Sequence, residues 1–247
     1  MKIYNLILSL LCALVLQAQP AAYSYKNIRF QAINHATFQM WFEGKYYLID
    51  PSVDSSKLQA LSSPDYIVYT DIHFDHLNIE NLKRLQLKST TIIIAPAAVK
   101  KEIDEKLPNN QLHIQVINNG ESVTLGKVKI DAIPMYNITP DRLQYHNKGR
   151  GNGYVFHLGT SNVYVSGDTE DVPEMRALKN IDVAFVCMNL PYTMDIDHAA
   201  SAVLAFKPRI IIPYHYRGKG GLSDIDAFKK KVQAGNPNIN VLFLKWY

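Results

Sequence analysis

The segment of this chain that is most informative about its fold is Tyr69-Thr70-Asp71-Ile72-His73-Phe74-Asp75-His76-Leu77-Asn78. A short apolar run precedes it and a helix-like pattern follows it, so it occupies a loop between a strand and a helix. The loop carries two imidazoles and two carboxylates, at Asp71, His73, Asp75 and His76. An irregular loop can turn near neighbours toward one point, and these ligand types suit Zn²⁺, Mn²⁺ or Fe²⁺. The segment therefore predicts a divalent metal site.

Two later apolar strands also end in residues that can bind a metal. Asp168 follows the run Val163-Tyr164-Val165-Ser166-Gly167, and His215 follows Ile210-Ile211-Ile212-Pro213-Tyr214. Functional sites of layered α/β proteins gather at strand ends. We therefore expect Asp168 and His215 to meet the loop that follows residue 69.

The pattern of apolar runs on either side of this loop predicts the architecture. Each half of the chain has strands followed by alternating strands and helices, which indicates two sheets packed face to face with helices outside. The prediction is an α/β fold of four layers, an αββα sandwich, with a single mixed sheet as the alternative. The predicted strands span 28–33, 38–42, 46–49, 66–69, 91–95, 113–117, 183–188, 209–212 and 240–244, with hairpins at 122–133 and 153–165 and helices at 79–87, 97–107, 197–207 and 223–235.

The first residues are typical of a secretory signal peptide. Lys2 precedes an apolar stretch that ends at Leu16, which is shorter than the ~20 residues of a spanning helix. We predict a signal peptide at 1–18 and one domain at 19–247, exported to a periplasm and without a lasting membrane anchor. An uncleaved anchor and a buried first helix are the alternatives. Cys187 would then be the only cysteine, and its apolar neighbours predict a buried, inert thiol.

The composition excludes some classes of protein. Of 247 residues, 47% are hydrophobic and 19% are charged, which is typical of a folded domain. The net charge of +4 comes from scattered Lys and Arg residues, so nothing points to nucleic-acid binding.

Five motifs together resemble one family. They are Asn34-His35-Ala36-Thr37, Leu48-Ile49-Asp50-Pro51, the D-x-H-x-D-H of residues 71–76, Ser166-Gly167-Asp168-Thr169 and the P-x-H of residues 213–215. This set resembles the metallo-β-lactamase-fold hydrolases, in particular the branch that contains ascorbate-6-phosphate lactonase, and the resemblance runs from about residue 28 to 244. It implies the same αββα fold. It also implies that Asp75, His76 and His215 hold one metal ion, that His73 helps to hold a second, that Asp168 bridges both, and that Asp50 supports the metal loop. We expect His35 to orient a ligand carboxylate from behind the centre.

The chain departs from the family pattern at two positions. Asp71 stands where the first histidine of the motif is usual, and no histidine occurs near residue 136, where the sequence is Met135-Tyr136-Asn137. Asp71 could still offer an oxygen ligand, which would favour Mn²⁺ or Fe²⁺ over Zn²⁺ at that position. The sequence therefore leaves open whether the site binds one metal ion or two.

The resemblance implies a hydrolase that uses a metal-bound hydroxide, with Asp75 and His76 as catalytic residues. The expected substrate is a small anionic molecule with an ester, lactone or phosphodiester bond. Lys148 and Arg150 lie in a glycine-rich segment that could bind a carboxylate or phosphate, or could be a solvated turn. Asn137 and Tyr192 are further candidate substrate contacts.

The alternative function is a non-catalytic metal- or ligand-binding periplasmic protein, which the two missing histidines make credible. A nuclease is disfavoured by the predicted export and by the lack of clustered basic and aromatic residues. The sequence leaves open whether the protein is a monomer or a homo-oligomer.

Overall fold

The computed structural model describes residues 19–247, so the predicted signal peptide lies outside the described residues. No helix in the described part of the chain is long and apolar enough to cross a bilayer. Two seven-stranded sheets form the centre of the protein.

The first sheet contains seven strands in sequence order. Its strands are β1 (Ala22–Tyr25), β2 (Ile28–Asn34), β3 (Thr37–Phe42), β4 (Lys45–Ile49), β5 (Tyr66–Val68), β6 (Ile92–Ala95) and β7 (His113–Val116). The pairs from β1 to β4 are antiparallel, and those from β4 to β7 are parallel. Short turns can join the antiparallel strands β1 to β4, whereas the parallel strands β4 to β7 need longer crossover connections.

The second sheet repeats this plan. Its strands are β8 (Ser122–Leu125), β9 (Val128–Met135), β10 (Gly151–Leu158), β11 (Ser161–Val165), β12 (Val183–Val186), β13 (Ile210–Pro213) and β16 (Asn240–Val241), while β14 (Arg217–Gly218) and β15 (Gly221–Leu222) pair separately. Strands β8 to β11 are antiparallel, and β11, β12, β13 and β16 are parallel.

The helices cover the outer faces of the two sheets. They are α1 (Ser55–Gln59), α2 (Ile79–Arg84), α3 (Ala97–Lys106), α4 (Pro173–Arg176), α5 (Ile196–Phe206) and α6 (Ile225–Gly235), with a 3₁₀ turn at Pro140–Arg142. Val99 and Ile103 of α3 pack with Ile67 and Ile93 of the first sheet. On the opposite side, Phe206 of α5 meets Tyr164 of β11, with ring centroids 6.0 Å apart. The four-layer αββα prediction is confirmed.

Aromatic side chains fill the space between the sheets. Phe38 of β3 stacks on Phe185 of β12 with 4.4 Å between ring centroids, and Tyr47 of β4 meets Phe156 of β10 edge-on at 6.0 Å. All four side chains are buried. Because both inner faces contribute to one core, the sheets are held in a fixed relative position, and so are the loops at their shared edge.

Candidate metal centre

The candidate site lies where loops leave the carboxyl ends of strands in both sheets. The loop after β5 carries residues 69–77, the loop after β11 carries Asp168, and the segment after β13 carries His215. Parallel strands present these ends at the same edge of their sheet. Residues distant in sequence therefore meet in one volume.

Three supporting or ligand residues have left-handed backbone angles although they are not glycine. The φ values are 53° for His35, 42° for Asp50 and 47° for His215. Such angles are uncommon for residues with a Cβ and cluster at functional sites. Gly167, beside Asp168, has φ 61°, and a side chain there would collide with the sulfur of Met135.

Asp50 ties the two ends of the metal loop together. Its Oδ1 accepts from the Thr70 backbone N–H at 2.8 Å, and its Oδ2 accepts from the Thr70 hydroxyl at 2.6 Å. The same Oδ2 lies 2.8 Å from His76 Nδ1. With Nδ1 donating to Asp50, His76 Nε2 is left with a free lone pair. Asp50 therefore holds Thr70 and His76 in fixed positions.

His76, Asp168 and His215 form a fully buried cluster. The His76 and His215 Nε2 atoms lie 3.1 Å apart, and the carboxylate of Asp168 is 3.5 Å from the first and 3.4 Å from the second. Burial opposes charge on each group, but the carboxylates of Asp168 and Asp50 raise the pKa of His76, and the two histidines lower the pKa of Asp168.

Asp75 and His35 extend this cluster toward solvent. Asp75 Oδ2 is 3.3 Å from His215 Nε2 and 3.3 Å from His35 Nε2, and its side chain is 42% exposed. Although burial raises the pKa of Asp75, its bonds to His215 and His35 lower it overall, so the carboxylate is ionised. The second ring nitrogen of His35 bonds the Tyr247 hydroxyl at 2.8 Å.

These residues fit a divalent metal ion. One ligand atom from each of His76, Asp168 and His215 lies within 4.8 Å of the others. Among the described residues, Asp168 Oδ1 and His146 Nε2 are buried without a hydrogen-bond partner. Buried polar atoms rarely lack a partner, and a metal ion would satisfy them.

A second group contains Asp71, His73 and His146, whose ligand atoms also lie within 4.8 Å of one another. His146 is a site residue that the sequence analysis missed. It is buried, with Nε2 3.3 Å from Asp168 Oδ2 and Nδ1 3.1 Å from the carbonyl oxygen of Tyr192. The signal that could have identified it is the missing strand-end histidine near residue 136, because another histidine could take that place in the site.

Arg150 contacts two members of this second group, Asp71 and His73. Its Nε is 3.0 Å from Asp71 Oδ1, and its Nη2 is 2.8 Å from Asp71 Oδ2 and 3.3 Å from His73 Nε2. Asp71 is buried, and burial alone would raise its pKa. The hydrogen bond and charge of His73, together with Arg150, instead lower the pKa of Asp71 to about 2.

A cavity of about 330 Å³ opens onto both groups. Its lining consists of His73, Asp75, Tyr145, His146, Asp168, Asn189 and Tyr192. The Tyr145 and Tyr192 rings meet edge to face, with centroids 5.2 Å apart, and form an aromatic wall. The volume is at the small end of the range for ligand pockets.

The structure places the other predicted substrate contacts outside this lining. Asn137 is buried and donates to the carbonyl oxygen of Tyr192 at 2.7 Å, so it positions the loop that carries Tyr192. Lys148 is half-exposed and pairs with Glu174 at 2.7 Å. Their direct contact with substrate stays a prediction, as does that of Arg150.

Cys187 is fully buried beneath the site. Burial, which has the larger effect, and the negative charge of Asp168 raise the pKa of its thiol to about 12. A thiol with such a pKa stays protonated and is a poor nucleophile at neutral pH.

Comparison with known proteins agrees with this geometry. A family model described as beta-lactamase superfamily domain matches residues 45–216. A protein of Pyrobaculum arsenaticum described as a metal-dependent hydrolase is 30% identical over 210 residues, which are 81% of this chain and 89% of the relative.

Solved structures agree as well. A crystal structure from Parabacteroides distasonis, assigned to the metal-dependent hydrolases, is 33% identical with a TM-score of 0.80, covering 91% of this chain and 99% of that one. A metallo-beta-lactamase fold protein of Bacillus subtilis shares the fold at 13% identity, with a TM-score of 0.71 over 89% of this chain and 96% of that one.

Proposed function

Because the chain belongs to the metallo-β-lactamase superfamily of metal-dependent hydrolases, we propose that it hydrolyses an ester, lactone or phosphodiester bond of a small anionic molecule. The observation that carries this proposal is the convergence of His76, Asp168 and His215 on one buried volume beside a cavity.

These three residues would hold the metal ion, with Asp75 beside them. Two imidazoles and carboxylates favour Zn²⁺, and Mn²⁺ and Fe²⁺ are the alternatives. When bound, such an ion polarises a carbonyl or phosphoryl oxygen and lowers the pKa of bound water to about 7. Asp50 fixes the tautomer of His76 through the 2.8 Å bond to Nδ1, which keeps Nε2 available to the ion.

We propose Asp75 as the residue that accepts a proton from the attacking water. Its carboxylate lines the cavity, is half-exposed and is ionised. His35, which bonds the Tyr247 hydroxyl, orients the carboxylate. A carboxylate at the wall of a cavity can reach both water and substrate.

The cavity limits the size of the substrate, and its wall limits the shape. Tyr145 and Tyr192 offer an apolar surface, and Asn189 offers an amide. Lys148 lies outside this lining, a few residues after Tyr145, and we propose its ammonium as the group that binds the anionic part of the substrate.

The test is metal content together with turnover. Wild-type protein loaded with Zn²⁺ or Mn²⁺ is assayed on bis(4-nitrophenyl) phosphate, aryl esters and lactones, beside His76→Ala and the matched control His198→Ala. His198 is an exposed helix residue that bonds Asp195. We expect His76→Ala to lose metal and at least about 100-fold in kcat, and His198→Ala to keep both. Metal binding without turnover on any substrate would instead favour the non-catalytic binding protein.

Export to a periplasm is a second part of the proposal, and it depends on residues 1–18. Expression of the full chain with a C-terminal tag, followed by cell fractionation and intact-mass measurement, tests it. We expect mature protein that begins at Gln19 in the periplasmic fraction, and a Leu11→Arg variant that keeps its full mass in the cytoplasm.

A further inference from the structure

The Asp71 carboxylate forms a bidentate pair with Arg150. Both of its oxygens accept from the guanidinium, through Nε at 3.0 Å and Nη2 at 2.8 Å. Arg150 Nη2 also donates to the carbonyl oxygen of Tyr145 at 2.6 Å, so the guanidinium is anchored on two sides. A bidentate pair of this kind, with the carboxylate buried, is a strong and specific contact.

The ring of His73 is occupied by the same two groups. Its Nδ1 lies 3.0 Å from Asp71 Oδ2, and its Nε2 lies 3.3 Å from Arg150 Nη2. The two N–H groups of Arg150 Nη2 have nearer acceptors in Asp71 Oδ2 and the Tyr145 carbonyl oxygen. A metal ion bound at His73 Nε2 would therefore face the positive charge of the guanidinium at close range.

The contrast with the neighbouring cluster is informative. Both groups contain a buried atom without a hydrogen-bond partner, Asp168 Oδ1 in the first and His146 Nε2 in the second. No Lys or Arg side chain forms an ion pair with His76, Asp168 or His215 among residues 19–247. In the group of Asp71, His73 and His146, a permanent cation already neutralises the carboxylate. Arginine stays protonated under all ordinary conditions.

We infer that Arg150 takes the place of a second metal ion, so that the centre binds one divalent ion, at His76, Asp168 and His215. The inference rests on the proposed function for that single ion. Arg150 is thus a positioning residue: it pairs with the buried Asp71 carboxylate, lies against the ring of His73, and holds the Tyr145 end of the aromatic wall.

The experiment measures metal ions per chain in full-length mature protein after saturation with Zn²⁺ or Mn²⁺ and desalting. Wild type should hold one ion. Arg150→Met frees Asp71 and His73, which with His146 supply three ligands, and should hold two. The matched control Lys148→Met removes a cation two positions away and should hold one, as should Arg150→Lys and the double variant Asp71→Ala, Arg150→Met.

A second measurement uses only the wild-type protein, so it does not require any variant to fold. The Mn²⁺-loaded wild type should give the electron paramagnetic resonance spectrum of an isolated ion, without the features of a spin-coupled pair. Circular dichroism establishes that each variant is folded before its metal content is compared.

The outcomes separate this inference from the proposed function. Two ions in wild type, one of them lost in Asp71→Ala, would overturn the inference and leave the hydrolase proposal standing. One ion in a folded Arg150→Met protein would also overturn it. No ion in wild type under any loading condition would overturn both.

Discussion

The backbone N–H of Asn137 donates to the carbonyl oxygen of His146 across 2.9 Å. This bond closes the loop that contains the 3₁₀ turn at Pro140–Arg142, and it places His146 beside the end of β9. An imidazole therefore reaches Asp168 from the region where the family pattern has its strand-end histidine, although residue 136 itself is a tyrosine.

This geometry predicts the effect of His146→Ala. The substitution removes the imidazole that lies 3.3 Å from Asp168 and leaves that buried carboxylate with less support. We expect metal affinity to fall about 10-fold to 100-fold, the usual effect of losing a partner of a metal ligand. Titration with Zn²⁺ in a competing chelator measures it, with His113→Ala, on an exposed part of β7, as the control. Equal affinity in all three proteins would show that His146 plays no part in the centre.

Asp50→Asn tests the bracing of the metal loop. The amide keeps the shape of the side chain but accepts fewer of the bonds from Thr70 and His76. Metal affinity should fall about 10-fold to 100-fold, and the free energy of unfolding should fall by about 1–3 kcal/mol. Metal titration and urea denaturation measure the two effects. Asp54→Asn is the matched control, because Asp54 is the exposed N-cap of α1 and asparagine caps helices equally well.

Arg150→Met should destabilise the metal-free protein, because it leaves the buried Asp71 carboxylate without its positively charged partner. Loss of one partner of a buried ion pair costs about 3–5 kcal/mol. Lys148→Met breaks an exposed pair and should destabilise the protein much less than Arg150→Met does. Urea denaturation in a chelator compares them. Adding Zn²⁺ should stabilise Arg150→Met more than wild type, since a second ion binds only its folded state; equal stabilisation by Zn²⁺ would contradict this.

The sequence predicted those parts of the site that depend on local order. Asp168 and His215 lie close after the ends of apolar strands, and Asp75 and His76 lie in the loop that follows another such strand, so the positions of the strand ends bring them together. The bond between Asn137 and His146 and the pair between Asp71 and Arg150 depend on loop conformation and on contacts between distant segments. No periodicity or spacing in one sequence encodes those contacts.

Short elements and helix starts show the same limit. The sequence did not predict four short elements, because a segment of so few residues does not show a hydrophobic period. They are β1, α1, α4 and the β14–β15 pair. At the start of α6, Ser223 with Asp226 has the pattern of a capping box, which predicts Ser223 as the N-cap. That prediction is wrong, because Asp224 is the N-cap and accepts from the Ala227 N–H at 2.9 Å. Neighbouring polar residues can each cap a helix, and only packing selects one.

Asp131 gives a pH dependence that is independent of the metal. Although burial raises the pKa of Asp131, bonds from Lys129, Ser122 and His157 lower it to about 2. The unfolded value is about 3.9. The carboxylate therefore stabilises the folded state above that value, and this stability is lost as the pH falls toward 2.

Asp131→Asn should consequently cost about 1 kcal/mol at neutral pH, and the difference from wild type should shrink as the pH falls below about 4. Urea denaturation at a series of pH values measures this difference. A difference that stays constant, or grows in acid, would contradict the assigned ion pairs.

The pairing of Lys148 with Glu174 predicts how the enzyme responds to substrate charge. The ammonium lies 2.7 Å from the Glu174 carboxylate and 4.5 Å from the centre of the Tyr136 ring, so a substrate anion must compete with an existing partner. Exposed ion pairs contribute about 0.2–1 kcal/mol. Lys148→Ala should therefore raise KM for an anionic ester by only about 1.5-fold to 5-fold, while Glu174→Gln, which frees the same ammonium, should lower KM. A neutral ester of the same size is the internal control, and its KM should not change in either variant. Equal changes for the neutral and the anionic ester would show that Lys148 acts on the shape of the loop and not on the charge of the substrate.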